Sequence, residues 1–209
     1  MKKTLLSIGL GWLAGNALLI AIGWGLYFTT SLYLPSGWKV SYNLGRYDEA
    51  GGAFEKTQVA LIGLGALVAE EALYYNAFRD DQDNLLRGEN GNYRLHFAPG
   101  ELPDVDAFWS ITMYGKDSFL VWNPINRYAI GNRTEGLHYN EDGSLDIYIS
   151  HKEPAEGISN WLPAPKGEFS ITLRAYLPSE QLLSGAWLPP GIERYDSNHI
   201  ASQQLSKAQ

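Results

Sequence analysis

The 209-residue chain has no cysteine, which excludes disulfides, thiolate metal sites and cysteine nucleophiles and leaves any folded domain to stand on its core. Histidine is nearly as scarce, with four in all. Of these, His96, His138 and His151 precede the polar tail, and no two of them sit at the spacing of a metal-ligand pair. The His-x-His expected of a metal-binding jelly roll is missing. No Gly-x-Ser-x-Gly turn occurs, Ser110 lies inside a strand pattern, and glycine-rich phosphate loops are absent, so nucleophilic hydrolysis has no motif to rest on. Positive charge is also in deficit. Sixteen Lys and Arg face twenty-three Asp and Glu, and an acidic chain is a poor nucleic-acid binder.

The longest absence is of charge of either sign, from Thr4 to Trp38. Within it, Leu5 to Phe28 is an apolar run of 24 residues, which as a helix would reach roughly 36 Å, more than the roughly 30 Å of a hydrocarbon core. An N-terminal transmembrane helix is therefore expected. A cleaved signal peptide is the competing reading, since Leu5 to Leu13 leads into the small residues Ala14 to Ala17. Hydrophobicity resumes at Leu18, however, so cleavage at Ala17 would leave an unanchored apolar terminus. Lys2 and Lys3 lie directly before the run and place the N-terminus in the cytoplasm. In a Gram-negative cell the result is a single-pass inner-membrane protein with its C-terminal domain in the periplasm. Trp24, Tyr27, Tyr33 and Trp38 fall where aromatic rings favour the headgroup zone. Gly11, Ala14, Gly15, Ala21 and Gly25 make a small-residue stripe on this helix, a surface on which a membrane-protein partner could pack closely. Asn16 points roughly the other way.

Residues 1–34 thus read as a cytoplasmic stub and membrane anchor, 35–52 as a linker rich in turn formers, 53–195 as the folded domain, and 196–209 as a polar tail. The domain opens on Ala53 to Tyr75, where alanine and spaced leucines favour a helix that Glu70 and Glu71 end or turn into a strand. From there the period changes to two. Strands are expected at Tyr74 to Arg79, Tyr93 to Phe97, Phe108 to Tyr114, Phe119 to Trp122, Leu145 to Ser150 and Phe169 to Tyr176, separated by turn clusters such as DDQDN and NEDG. Six or more short strands without recurrent helical crossovers argue for a mainly β, antiparallel sandwich with one preceding helix.

The string AFWSITMYGKDSFLVWNPINRYAIGNRTEGLHYNEDGSLDIYISHKEP, followed by NWLPAPKGEFSITLRAYLP and GAWLPPGIERY, resembles the bacterial domain-of-unknown-function 1214 family, over about Glu70 to Tyr195. The resemblance implies a jelly-roll-like β-sandwich. Longer relatives carry a second uncharacterised domain, number 1254, upstream, where this chain has the apolar segment and a short linker. No chemistry comes with the family.

Donors concentrate in the loop WNPINRYAIG: Asn123, Asn126, Arg127 and Tyr128, with Arg133 shortly after. A planar guanidinium fork there could clamp a carboxylate, phosphate or sugar acid; equally, Asn123-Pro124 makes a turn and Arg127 could pair with a carboxylate of the sandwich. Asp104 and Asp106, at i and i+2, would share a face as two-carboxylate hydrolysis requires, although acids before a strand are commonly a solvated loop. Trp109, Trp122, Trp161 and Trp187 could line a groove or fill the core. The expectation is a noncatalytic, membrane-tethered, extracytoplasmic binding or assembly module, with the lipid bilayer as one partner and no cofactor, metal or nucleic acid. Two alternatives stand beside it: an envelope enzyme working on a small acidic or glycan substrate through Arg127, Arg133 and Asp106, and an accessory subunit of a larger membrane complex.

Overall fold

A computed structural model of the chain describes residues 9, 11–22, 32–42, 66–155 and 157–195. The strands, in chain order, are β1 (Leu32–Tyr33), β2 (Trp38–Val40), β3 (Ala72–Ala77), β4 (Asn92–Phe97), β5 (Val105–Gly115), β6 (Ala129–Gly131), β7 (Leu145–Ser150), β8 (Trp161–Pro163), β9 (Phe169–Pro178) and β10 (Ile192–Tyr195). A four-residue helix, Glu180–Leu183, follows β9. Two sheets result, one of six strands in the order β1-β2-β3-β9-β5-β6 and one of four in the order β10-β4-β7-β8.

Alternation explains how these strands pack. In β4, Tyr93, Leu95 and Phe97 are fully buried while Arg94 and His96 face outward. The same period puts Trp109, Ile111 and Met113 of β5, and Ile171, Leu173 and Ala175 of β9, into one hydrophobic core with Leu145, Ile147 and Ile149 of β7. Each large side chain so buried contributes about 1.5–3 kcal/mol. Trp38 is completely enclosed, and its indole N–H donates to the carbonyl of Pro190 at 2.7 Å. The stretch read as a linker therefore supplies β2, which pairs with β3 through Trp38↔Ala77 and Val40↔Tyr75.

Three expectations need correction. The helix expected over Ala53 to Tyr75 does not reach its end: Ala72–Ala77 is a central strand paired on both sides, while residues 53–65 lie outside the described residues. Hydrogen bonding to β2 and β9, with Leu73, Tyr75 and Ala77 turned inward, outweighs the local helix propensity of alanine and leucine. The antiparallel pattern has one exception, since β7 and β8 run parallel. Finally, Phe119 to Trp122 is a loop paired with the sheet at the isolated bridge Tyr114↔Leu120, with Val121 packed against the core. A tight turn, with Gly115 N–H donating to Phe119 O at 2.9 Å, ends β5 there, and the strand's next partner is β6.

Residues 11–22 are helical and exposed along their length. A β-carbon added at Gly11 or Gly15 would meet nothing within 4 Å, and the Asn16 amide donates to the Trp12 carbonyl at 2.7 Å. Among the described residues no helix is long and apolar enough to cross a membrane. Both ends of the Leu5 to Phe28 run, and Gly25 of the stripe, lie outside them.

Candidate functional site

The loop between β5 and β6 is built around Asn123, which is buried. Its amide donates to the carbonyls of Val121 at 3.2 Å and Arg127 at 2.9 Å, and its oxygen accepts the Arg127 N–H at 2.9 Å. Asn126 takes the left-handed conformation, φ 51°, which asparagine tolerates better than most residues. Arg127 is half-buried. Its Nη1 donates to the carbonyls of Ile158, Ser159 and Trp161, the last two at 2.9 Å. Desolvation lowers its pKa from the ordinary arginine value. Nη1 thus fastens the 157–161 segment through backbone carbonyls, and no carboxylate is among its described partners. Tyr128 is half-buried, and its carbonyl accepts the Met113 N–H at 3.0 Å.

Arg133 has a different setting. It is exposed, its Nη2 reaches only the Ala107 carbonyl at 3.3 Å, and its guanidinium lies 4.2 Å from the centre of the Phe108 ring. Phe108 stacks on Tyr176 with ring centres 4.3 Å apart. Two residues along β9 on the same face stands Arg174. It donates to Thr112 Oγ1 at 2.9 Å and to Tyr114 Oη at 2.7 Å, between the rings of Tyr74 and Tyr114. Other described arginines meet carboxylates: Arg79 with Asp83, Arg87 with Glu89 and Glu168, Arg94 with Glu193 and Asp146, Arg194 with Asp80. Among the described residues Arg133 and Arg174 form no ion pair, and they share the outward face of the six-stranded sheet. Sequence reading missed Arg174, although the alternation of Thr172, Arg174 and Tyr176 in SITLRAYLP marks it as outward once the strand is recognised.

The groups considered for catalysis are dispersed. His96 Nδ1 donates to Asp146 Oδ1 at 2.7 Å, a bond that fixes the tautomer because a carboxylate can only accept. The other Asp146 oxygen accepts from Asn140 at 2.8 Å, and Asn140 also donates to Ser144 Oγ at 2.9 Å. Ser144 Oγ in turn donates to Asp142 at 2.7 Å. Those two Ser144 hydrogen bonds, from Oγ and from the backbone, lower the Asp142 pKa. No nucleophile points at His96 in this network. Arg94 loses to burial but gains more from the Glu193 hydrogen bond and the Asp146 charge, so its pKa is raised. His151 bonds the Ala164 carbonyl and the His138 N–H bonds Asn160; among the described residues no group of three potential ligands could hold a metal. Asp104 and Asp106 are both exposed, and Asp106 falls in the register shift between Val105 and Phe108, which breaks the shared face expected of them. Trp109, Trp161 and Trp187 are core residues, whereas Trp122 is 77% exposed. An open groove of about 460 Å³ lies beside Lys116, Leu120, Val121, Pro165 and Glu168, away from Arg127.

This two-sheet chain, built as a support for loops and an outward sheet face, matches the DUF1214 family model, described as a protein of unknown function, over residues 71–180. The chain belongs to that family. Among solved structures it is similar to the VPA0106 protein from Vibrio parahaemolyticus, with 30% identity and a TM-score of 0.61 over 74% of this chain and 39% of the Vibrio chain. This chain therefore spans about two fifths of that protein's length. An uncharacterized protein from Burkholderia cenocepacia is more distant, with 17% identity and a TM-score of 0.35 over 60% of this chain and 29% of that one. No curated protein matches the chain.

Proposed function

We propose that this protein is a noncatalytic, membrane-tethered binding or assembly module whose jelly-roll-like domain lies outside the cytoplasm. The observation that carries the binding reading is the pair Arg133 and Arg174, two cations with no carboxylate partner among the described residues, on one aromatic sheet face above an interior filled by side chains. An enzyme working through Arg127, Arg133 and Asp106 has less support, because Nη1 of Arg127 is committed to three backbone carbonyls. Tethering rests on the uncharged run from Thr4 to Trp38 and its preceding lysines. Phe119 at 73% and Trp122 at 77% exposure favour assembly with another protein as a second use of the domain.

The full-length chain is expected to stay in the membrane pellet through alkaline carbonate washing, with a reporter fused after Gln209 active only outside the cytoplasm. A carbonate-soluble chain, or a cytoplasmic reporter signal, refutes the tethered reading.

A further inference from the structure

The outward face of the six-stranded sheet differs in charge from the rest of the chain. Opposite the core residues, β3 presents Tyr74 and Asn76, β5 presents Phe108, Ser110, Thr112 and Tyr114, and β9 presents Ser170, Thr172, Arg174 and Tyr176. None of these is acidic, in a chain with twenty-three acids and a net charge of −7, and the one acid of β5, Asp106, lies in the register shift at its start.

Arg174 stands at the centre of this arrangement. Cross-strand neighbours on either side are Tyr74 and Ser110. A guanidinium carries five N–H donors, and two of them go to the Thr112 and Tyr114 oxygens. Because both hydroxyls accept from the arginine, their own hydrogens are directed elsewhere. The cluster is accordingly rich in donors, held in place by two hydrogen bonds and two rings, and short of negative charge. An anion satisfies it, a carboxylate best of all, since its two oxygens match the planar fork.

The neighbours narrow the class of anion. Ser110 and Ser170 are half-buried hydroxyl side chains beside the arginine, whereas Thr172 is buried and donates to the Asn76 side-chain oxygen at 2.8 Å. Such a floor pairs with a polyhydroxyl ligand, while the Tyr74 and Tyr114 faces suit the C–H side of a sugar ring. The net charge of −7 disfavours a long polyanion, whose field would be repelled, and favours a ligand with one or a few charges.

We propose that the outward face of the six-stranded sheet binds an acidic saccharide, with a sugar carboxylate held by Arg174 and Tyr114. This rests on the binding-module reading above and names its ligand class. The test is titration calorimetry of the full-length chain in zwitterionic nanodiscs, with tetragalacturonate as probe and maltotetraose as its neutral counterpart. Tetragalacturonate is expected to bind and maltotetraose not, with affinity falling as salt rises. Arg174→Gln should weaken binding roughly tenfold to a hundredfold, the effect of losing charge-assisted hydrogen bonds. Ser170→Glu, which puts a carboxylate beside Tyr114 without removing a core group, should abolish it at unchanged melting temperature. Equal binding of the two oligosaccharides, indifference to both substitutions, or no heat with tetragalacturonate at about millimolar concentration overturns the proposal. Cleavage of the probe would refute the noncatalytic reading and leave the site. A chain that ignores the probe yet still copurifies with a membrane partner refutes the site alone.

Discussion

Asn123 closes its loop with three hydrogen bonds from one buried amide, so truncating it leaves an N–H and two carbonyls without that partner. Asn123→Ala is expected to cost about 1–3 kcal/mol, read from urea denaturation at unchanged m-value. Asp81 offers a test of opposite sign. Burial first, then the charges of Asp80 and Glu193, raise its pKa above the ordinary carboxylate value. A carboxyl raised by folding stabilises the folded chain while protonated; that contribution is complete below its unfolded value and is lost as pH rises through the window up to the folded one. At neutral pH a penalty is left, so Asp81→Asn should be the more stable protein there by less than about 1 kcal/mol, the group being mostly in water. In strong acid the advantage should vanish in parallel melts of the two proteins. At this scale the sequence marked a donor-rich loop but not the partners of its arginine. Donor-rich residues from Asn123 to Tyr128 were visible, whereas the direction of the Arg127 guanidinium depends on carbonyls of a segment some thirty residues further along.

Elements were legible where alternation was strong. The strands Asn92–Phe97, Val105–Gly115, Leu145–Ser150 and Phe169–Pro178 all carry a period of two with the apolar side inward. Short strands were not legible, because two or three residues, as in β1, β2, β6 and β8, contain no period to read. They exist through their partners. β6 demonstrates this at Gly131, where an added β-carbon would overlap the carbonyl oxygen of Trp109 on the paired strand. Gly131→Ala should force β6 away from β5 and cost roughly 2–4 kcal/mol, with the loss appearing as faster amide exchange at Ile130 and Ile111. Unchanged exchange there would mean that the edge yields without separating. The expected strand from Phe119 to Trp122 failed for a complementary reason: one bridge at Leu120 and one core contact at Val121 do not make a ladder, and Phe119 and Trp122 stay exposed, so composition alone overstated it.

For the whole molecule, strand direction separates two features. β1 runs parallel to β3 and β5, since each antiparallel step reverses the chain. The sheet is therefore entered from the end at which β5 begins, while the Phe119 to Trp122 loop projects from the end at which β5 finishes. Because Phe119 and Trp122 are largely exposed, replacing both with serine should change stability by no more than about 0.5 kcal/mol. If the loop contacts another protein, the same double substitution should remove that protein from affinity eluates of native membranes. Retention of every copurifying band would dismiss the loop as a contact.

The parallel pairing of β7 with β8 carries a consequence for how that sheet edge closes. A chain that leaves one strand and returns beside it in the same direction must first travel back along its length, so β8 cannot dock as a simple hairpin. The returning segment is the one whose carbonyls Arg127 grips from across the fold. Closure of that edge thus takes two contacts made together, the parallel ladder and the Arg127 grip, where a hairpin would need one.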